Sequence, residues 1–189
     1  MSLIISSFEM DLLKDVFKID KKILHYLPFL LDKVDAHQIK KWSSFEDREN
    51  FIFIGNFFHK PNVDAVLTLK TQIWTKIRKL LPKAEIHIYG SYANQQIHQL
   101  NNTKEGFIVK GFAENAKEVV RNAKVVLAPL RFGAGIKGKL TEAMICGTPS
   151  VTSEIGAEGM HDTLPWNGFV AGDYSNFSEK AVQLYTDEK

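Results

Sequence analysis

Apolar residues in this chain recur with two different periods, and from residue 51 onward the two alternate regularly. Residues 51–54 (FIFI) form a short unbroken apolar run closed by Gly55, the pattern of a strand covered on both faces. Pro61 then opens a stretch in which Val63, Val66, Leu67, Ile73, Trp74, Ile77, Leu80 and Leu81 return at helical spacing. The pairing repeats. Residues 85–89 end at Gly90 and lead into a helical stretch near 92–100, while residues 107–110 end at Gly111 and precede the stripe Ala116, Val119, Val120, Ala123. A strand over 124–128, a helix near 136–146 closed by Gly147 and Pro149, a strand over 150–153 and a final helix near 177–185 complete the series. Such alternation predicts an α/β fold, a Rossmann-like parallel sheet with helices on both faces.

The first fifty residues are patterned differently. Residues 3–7 and 23–27 are strand-like, and between them Leu12, Leu13, Val16 and Phe17 keep helical spacing. From 32 to 50 charge is dense and periodicity is lost (DKVDAHQIKKWSSFEDREN). We therefore expect residues 1–31 to be the remnant of a preceding domain, 32–50 a linker, and 51–189 the main domain. Met1, Ser2 and Leu3 run at once into strand-like Ile4 and Ile5, so the chain reads as a piece excised from a longer protein.

Composition adds exclusions. With 189 residues, 44% hydrophobic and 24% charged, the chain can bury one sizeable core. A formal charge of +2, with no basic run interleaved with aromatics, argues against nucleic acid as a partner. Cys146 is the only cysteine, which excludes an internal disulfide and fits a reducing, cytoplasmic setting. The six histidines show no metal-ligand spacing, so we expect neither a metal nor a cofactor. No run reaches the roughly 18 apolar residues of a membrane span.

The chemistry concentrates in residues 125–159, VVLAPLRFGAGIKGKLTEAMICGTPSVTSEIGAEG. A buried-type strand, a glycine-rich loop with cations and a helix form the order that holds a phosphate at the carboxyl edge of a parallel sheet. A P-loop needs Ser or Thr after its lysine, but Leu140 follows Lys139 and Thr141 comes about 100° of helix too late. Gly133, Gly135 and Gly138 fit the dinucleotide fingerprint, yet Pro129, Leu130, Arg131 and Phe132 separate them from the strand. An NAD(P)-dependent oxidoreductase thus stands as an alternative, with a non-catalytic interaction domain as a second. Gly55, Gly90 and Gly111 end three strands, so they should gather with the loop in one cleft.

FIFIGNFFHKPNVDAV, KAEIHIYGS, VKGFAEN and, most specifically, APLRFGAGIKGKLTEAMICGTPSVTSEIGAEGM resemble the C-terminal, donor-binding domain of GT-B glycosyltransferases of the group 1, family 4 type. SLIISSFEMDLLKDVFKIDKKILHYLPFLLD resembles the closing part of their N-terminal domain. The resemblance implies a metal-independent enzyme that takes a sugar from a nucleotide-sugar donor, with retention, and passes it to an acceptor such as a glycan or lipid-linked glycan. Such an enzyme would be cytoplasmic or peripheral at the inner face of a membrane, and this piece alone would bind donor without turning it over.

Glu142 matches the second glutamate of the family's E-x7-E motif, which binds ribose hydroxyls. Ala134 stands where the first glutamate, the donor-sugar contact, is expected. Arg131 and Lys137 flank the glycines as cations for a diphosphate. Lys60 and Asn62 resemble a second phosphate-binding turn, and Gly111 with Phe112 the place where the nucleobase packs. Ser91 could donate to a phosphate or sugar hydroxyl or cap the next helix, the latter being favoured. Gly55, Gly90, Gly133 and Gly135 complete the expected donor site.

Overall fold

The fold is described from a computed structural model for residues 1–161 and 164–187, so residues 162–163 and 188–189 of the expected main domain lie outside the described residues. β1 (Ser2–Ile4) and β2 (Leu24–Tyr26) pair in parallel as a small sheet of their own. They are joined through α1 (Ser7–Asp11), which continues into a wider π-type segment at Leu12–Val16. Ser6 caps α1 and is buried, and a Cβ on Gly159 would meet its hydroxyl at 2.4 Å. That contact fixes the start of α1 on the main body.

The charged stretch 32–50 is also anchored. It contains α2 (Ala36–Ile39), opened by a capping box between Asp35 and Gln38. Trp42 donates its indole N–H to the Ile145 carbonyl at 3.1 Å and lies over Gly147, where a Cβ would come within 2.3 Å of the ring. Gly147 has φ +60°, so it serves both as helix terminator and as seat for Trp42. Arg48 is buried and donates to Thr148 Oγ1 and to the Ser43 and Cys146 carbonyls. A buried guanidinium needs such partners to offset its lost hydration.

The main sheet holds β3 (Glu49–Ile54), β4 (Ile86–Tyr89), β5 (Phe107–Gly111), β6 (Ala123–Ala128), β7 (Ser150–Ser153) and β8 (Gly168–Ala171). All its pairings are parallel, in the order β5-β4-β3-β6-β7-β8. The connecting helices are α3 (Lys60–Thr68), α4 (Trp74–Leu80), α5 (Gln95–His98), α6 (Ala116–Asn122), α7 (Gly138–Ile145), α8 (Glu154–Ala157) and α9 (Tyr174–Thr186). α3 and α4 are one apolar stripe joined by a π-type segment at Leu69–Ile73. The unbroken FIFI run resolves as the sheet geometry requires. Phe51 and Phe53 enter one core with Leu69, Trp74, Ile88, Leu127 and Phe177, while Ile52 enters the opposite core with Val120, Val126, Ala143 and Cys146. Each such fully buried side chain contributes about 1.5–3 kcal/mol of transfer free energy. The Rossmann-like sheet with helices on both faces is therefore observed.

β8 and α8 lie outside the elements expected from the sequence. α8 (EIGA) is barely one turn with Gly156 inside it, and β8 (GFVA) opens at Gly168, where a Cβ would overlap the Ser150 carbonyl oxygen at 2.1 Å, so neither carries a clear apolar period. The strand order places the functional edge. The chain runs from β3 outward to β5, then returns to β6 and runs the other way to β8. Connections on opposite faces diverge between β3 and β6, which opens a crevice at the carboxyl ends of those two strands.

Candidate functional site

Gly55, Gly90 and Gly111 lie side by side along this edge: the Gly55 N–H donates to the Tyr89 carbonyl at 3.1 Å, and the Gly90 N–H to the Gly111 carbonyl at 2.8 Å. A Cβ on Gly90 would come to 2.1 Å from the Gly55 carbonyl oxygen and 2.4 Å from the Phe57 ring. Glycine is thus required for packing here. Gly111 has φ +77° and open space around it. Phe112, next to it, is 71% exposed, so it presents a free aromatic face rather than filling the core. The Ser91 carbonyl accepts from the Phe57 N–H at 3.0 Å, and the cap of α5 is Asn94, whose side chain accepts from Ile97 N–H at 3.1 Å. The favoured capping role of Ser91 is corrected accordingly. Asn94 directly precedes the helix, as an N-cap must.

The glycine-rich loop follows β6. Gly133 and Gly135 have φ +134° and +72°, conformations that side-chain-bearing residues rarely adopt. A Cβ on Gly133 would lie 3.5 Å from Pro61, which sets the loop against the start of α3 across the β3/β6 crevice. Arg131 turns onto α3, where its guanidinium grips Asp64 through two bonds, Nε to Oδ2 at 2.8 Å and Nη2 to Oδ1. Its loop borders a cleft of 420 Å³ shared with Glu154, Asp173 and Tyr174 on the β7–β8 side. Lys60, the first residue of α3, is exposed.

Two lysines straddle the start of α7. Lys137 is 8% exposed, and its Nζ has no hydrogen-bond partner among the described residues. Burial pushes this ammonium below the ordinary lysine range, while the carboxylates of Glu158 and Glu9 pull it back. Lys139 keeps part of its stem at the surface but encloses its ammonium, which donates to Asn62 Oδ1 at 2.7 Å and lies 5.1 Å from the Phe53 ring centroid. Burial, and secondly repulsion from Lys137, pushes it down to about 8. Asn62 is itself buried and donates to the Asn56 carbonyl at 2.7 Å, packing so close that a Cβ on Gly55 would meet it at 2.9 Å. Gly55, Asn62 and Lys139 therefore form one unit joining β3, α3 and α7.

Lys139 is the residue that the sequence left unassigned, while Asn62 was expected only beside Lys60 in a phosphate-binding turn and not as the partner of a lysine on α7. Lys139 entered only as the lysine of a failed P-loop. The available signal was the spacing of GIKGK, which puts two cations within one turn of a helix start in an otherwise apolar stretch. Glu9 was equally unforeseen. Its Oε1 accepts the Gly135 N–H at 2.8 Å across 126 positions of sequence, a separation no local pattern reveals.

Glu142 lies on α7 beyond these lysines, half-buried, with Oε1 3.8 Å from Cys146 Sγ. Burial first, and Glu142 second, raise the Cys146 thiol, consistent with an unreactive packed residue. Ala134 is exposed and offers the loop only a methyl group. Among the described residues, no three His, Cys, Asp or Glu side chains are grouped to hold a metal ion, and no helix is long and apolar enough to cross a membrane. The crevice thus combines two buried cations with a glycine loop. These are the groups that neutralise and orient a phosphate anion.

Known structures share this architecture. The chain superposes on TarM from S. aureus, solved with UDP, α-GlcNAc-glycerol and fondaparinux, with TM-score 0.73 and 16% identity, covering 98% of this chain and 37% of that one. It superposes on the pneumococcal O-GlcNAc transferase GtfA, solved with UDP and GlcNAc, with TM-score 0.71 and 16% identity over 97% of this chain and 38% of that one. WaaG, a glycosyltransferase involved in lipopolysaccharide biosynthesis, gives TM-score 0.62 and 12% identity over 98% and 53%. The chain thus spans about two fifths to one half of the length of these GT-B proteins. A search of curated protein sequences found no match. A family model for glycosyl transferases group 1 matches residues 48–187, and the chain belongs to that family.

Proposed function

We propose that this chain is the nucleotide-sugar-binding half of a GT-B glycosyltransferase that transfers a sugar from a nucleoside diphosphate donor to a glycan or lipid-linked glycan acceptor. The observation that carries this reading is the pair of buried lysines at the glycine loop, above all Lys139 on Asn62 beside Gly55. Burying an ammonium costs stability, and a fixed cation at a strand-end crevice recovers that cost when an anion arrives. The diphosphate then lies across the loop, with Lys137 and Lys139 stabilising the charge that grows on the leaving group as the glycosidic bond breaks. Two fixed cations supply this neutralisation without a metal. Phe112 offers a flat face for a base at the β5 end of the edge, and Glu142 the carboxylate for ribose hydroxyls. UDP in the TarM and GtfA complexes is consistent with such a donor.

In this reading the acceptor is held by a second domain, retention is the stereochemical outcome, and the chain alone binds donor without turnover. The setting is cytoplasmic, at or near a membrane surface. Calorimetric titration with UDP, GDP and ADP, with NADH as comparison, tests it. At least one diphosphate should bind with Kd below 1 mM, about −4 kcal/mol or better. Saturation by NADH with no binding of any nucleoside diphosphate would overturn it.

A further inference from the structure

The loop is electrostatically two-sided. On the α3 side, Lys139 donates to Asn62 and lies by an aromatic ring, and the charge that acts on it is the repelling one of Lys137. On the α1 side, Lys137 lies in the field of two carboxylates, Glu158 and Glu9, and its Nζ is buried with no hydrogen bond among the described residues. Glu9 is held there from both ends. The buried Ser6 cap fixes its helix, and Oε1 accepts the Gly135 N–H at 2.8 Å. Its second oxygen, Oε2, makes no hydrogen bond among the described residues. On the α1 side the two carboxylates offset the charge of Lys137, so a diphosphate is drawn more strongly toward Lys139 on the α3 side. A neutral polyol fits the α1 side: carboxylates accept from pairs of hydroxyls, and a buried ammonium donates to the remaining oxygens.

We propose that Glu9, reaching over the loop from the N-terminal segment, is the specificity-determining carboxylate for the transferred sugar, binding its hydroxyls with Oε2 while Oε1 holds Gly135. Ala134 provides no such group from within the loop, so the contact comes from 125 residues away in sequence. The assignment rests on the nucleotide-sugar reading above and adds the subsite that discriminates sugar from bare nucleotide. Lys137, whose ammonium carries three N–H donors, borders this subsite as well as the diphosphate.

Glu9→Gln tests it, because the amide oxygen can still accept from Gly135 while the charge toward the sugar is lost. The nucleoside diphosphate among UDP, GDP and ADP that binds the wild-type chain, and its hexose conjugate, are titrated calorimetrically against wild type, Glu9→Gln and Glu9→Ala. Thermal melts monitor folding. The expected result is a loss of about tenfold or more in affinity for the conjugate, as for a charged hydrogen bond, with affinity for the diphosphate within about twofold. Equal loss for both ligands would make Glu9 a structural clamp on the loop and overturn the assignment. Tighter diphosphate binding by Glu9→Gln would instead mark Glu9 as a competitor for the anion site, and also overturn it. Unchanged affinity for both would remove it from the subsite. If the wild-type chain binds no diphosphate at all, the nucleotide-sugar reading itself fails and the assignment falls with it.

Discussion

Replacing Lys139 with methionine should change stability in opposite senses at different pH. Burial holds the Lys139 ammonium at about 8 against 10.5 for a free lysine, which corresponds to about 3 kcal/mol of destabilisation while the group is charged. The folded state binds fewer protons than the unfolded one between pH 8 and 10.5, so stability rises with pH across that window. Below pH 8 the full cost is present. Methionine keeps most of the stem, one atom shorter than lysine, and removes the charge, but it leaves Asn62 Oδ1 without its 2.7 Å donor, a loss of about 1–2 kcal/mol. At pH 7 the variant should therefore be more stable than wild type by about 1–2 kcal/mol, a rise of about 2–8 °C in Tm for a chain of this size. By pH 10 the cost of the wild-type charge falls to about 1 kcal/mol or less, the orphaned oxygen dominates, and the advantage disappears. Urea denaturation of both proteins at pH 7 and pH 10 measures this directly. Equal destabilisation at the two pH values would refute the claim that Lys139 is a buried cation held at a cost. The same variant should bind nucleoside diphosphate more weakly, as expected when stability has been given up for a site.

Gly90→Ala should destabilise by more than 3 kcal/mol or prevent folding, because its Cβ would come to 2.1 Å from the Gly55 carbonyl oxygen. Gly111→Ala should cost only about 1 kcal/mol, since φ +77° strains alanine but nothing lies within 4 Å. Thermal melts separate these two effects. Glu142→Ala should weaken nucleoside diphosphate binding by about 1–3 kcal/mol, and an unchanged calorimetric Kd would take Glu142 out of the site. Arg48→Met should lower stability by about 1–3 kcal/mol by removing the donor to Thr148 Oγ1, which keeps only its own bond to the Val120 carbonyl, and to the Ser43 and Cys146 carbonyls, without altering the relative affinities for different nucleotides.

Much of the fold was legible because its strands are buried on both faces. Continuous apolar runs such as FIFI, each ended by glycine and followed by a helical stripe, carry the β–α alternation on their own. The cost of close packing at the carboxyl edge, visible at Gly90, is what made those glycines readable. α8 was not readable because EIGA is barely one helical turn and contains Gly156, and β8 because GFVA opens on a glycine and carries only Phe169 and Val170 as large apolar residues. In the stretch 32–50, charge hid Trp42 and Arg48, whose partners Ile145 and Thr148 lie 103 and 100 residues away. The same limit applies to the site. The glycine loop is local and was found from spacing, whereas Glu9 on Gly135 and Lys139 on Asn62 are long-range pairs that exist only after folding. Arg131 shows the converse: its type and place suited a phosphate ligand, yet Asp64 on α3 takes up its guanidinium through two bonds.

In the proposed complex a nucleoside diphosphate lies in the β3/β6 crevice against the glycine loop. Titrating UDP, and in parallel GDP and ADP, into the 15N-labelled chain while following backbone amide shifts tests both the binding and its place. Saturable shifts are expected at Gly55, Gly133, Gly135 and Gly138 with at least one of the three, together with weaker shifts near Gly111 and Phe112. Saturable shifts confined to other surfaces, or none at millimolar nucleotide, would contradict this placement.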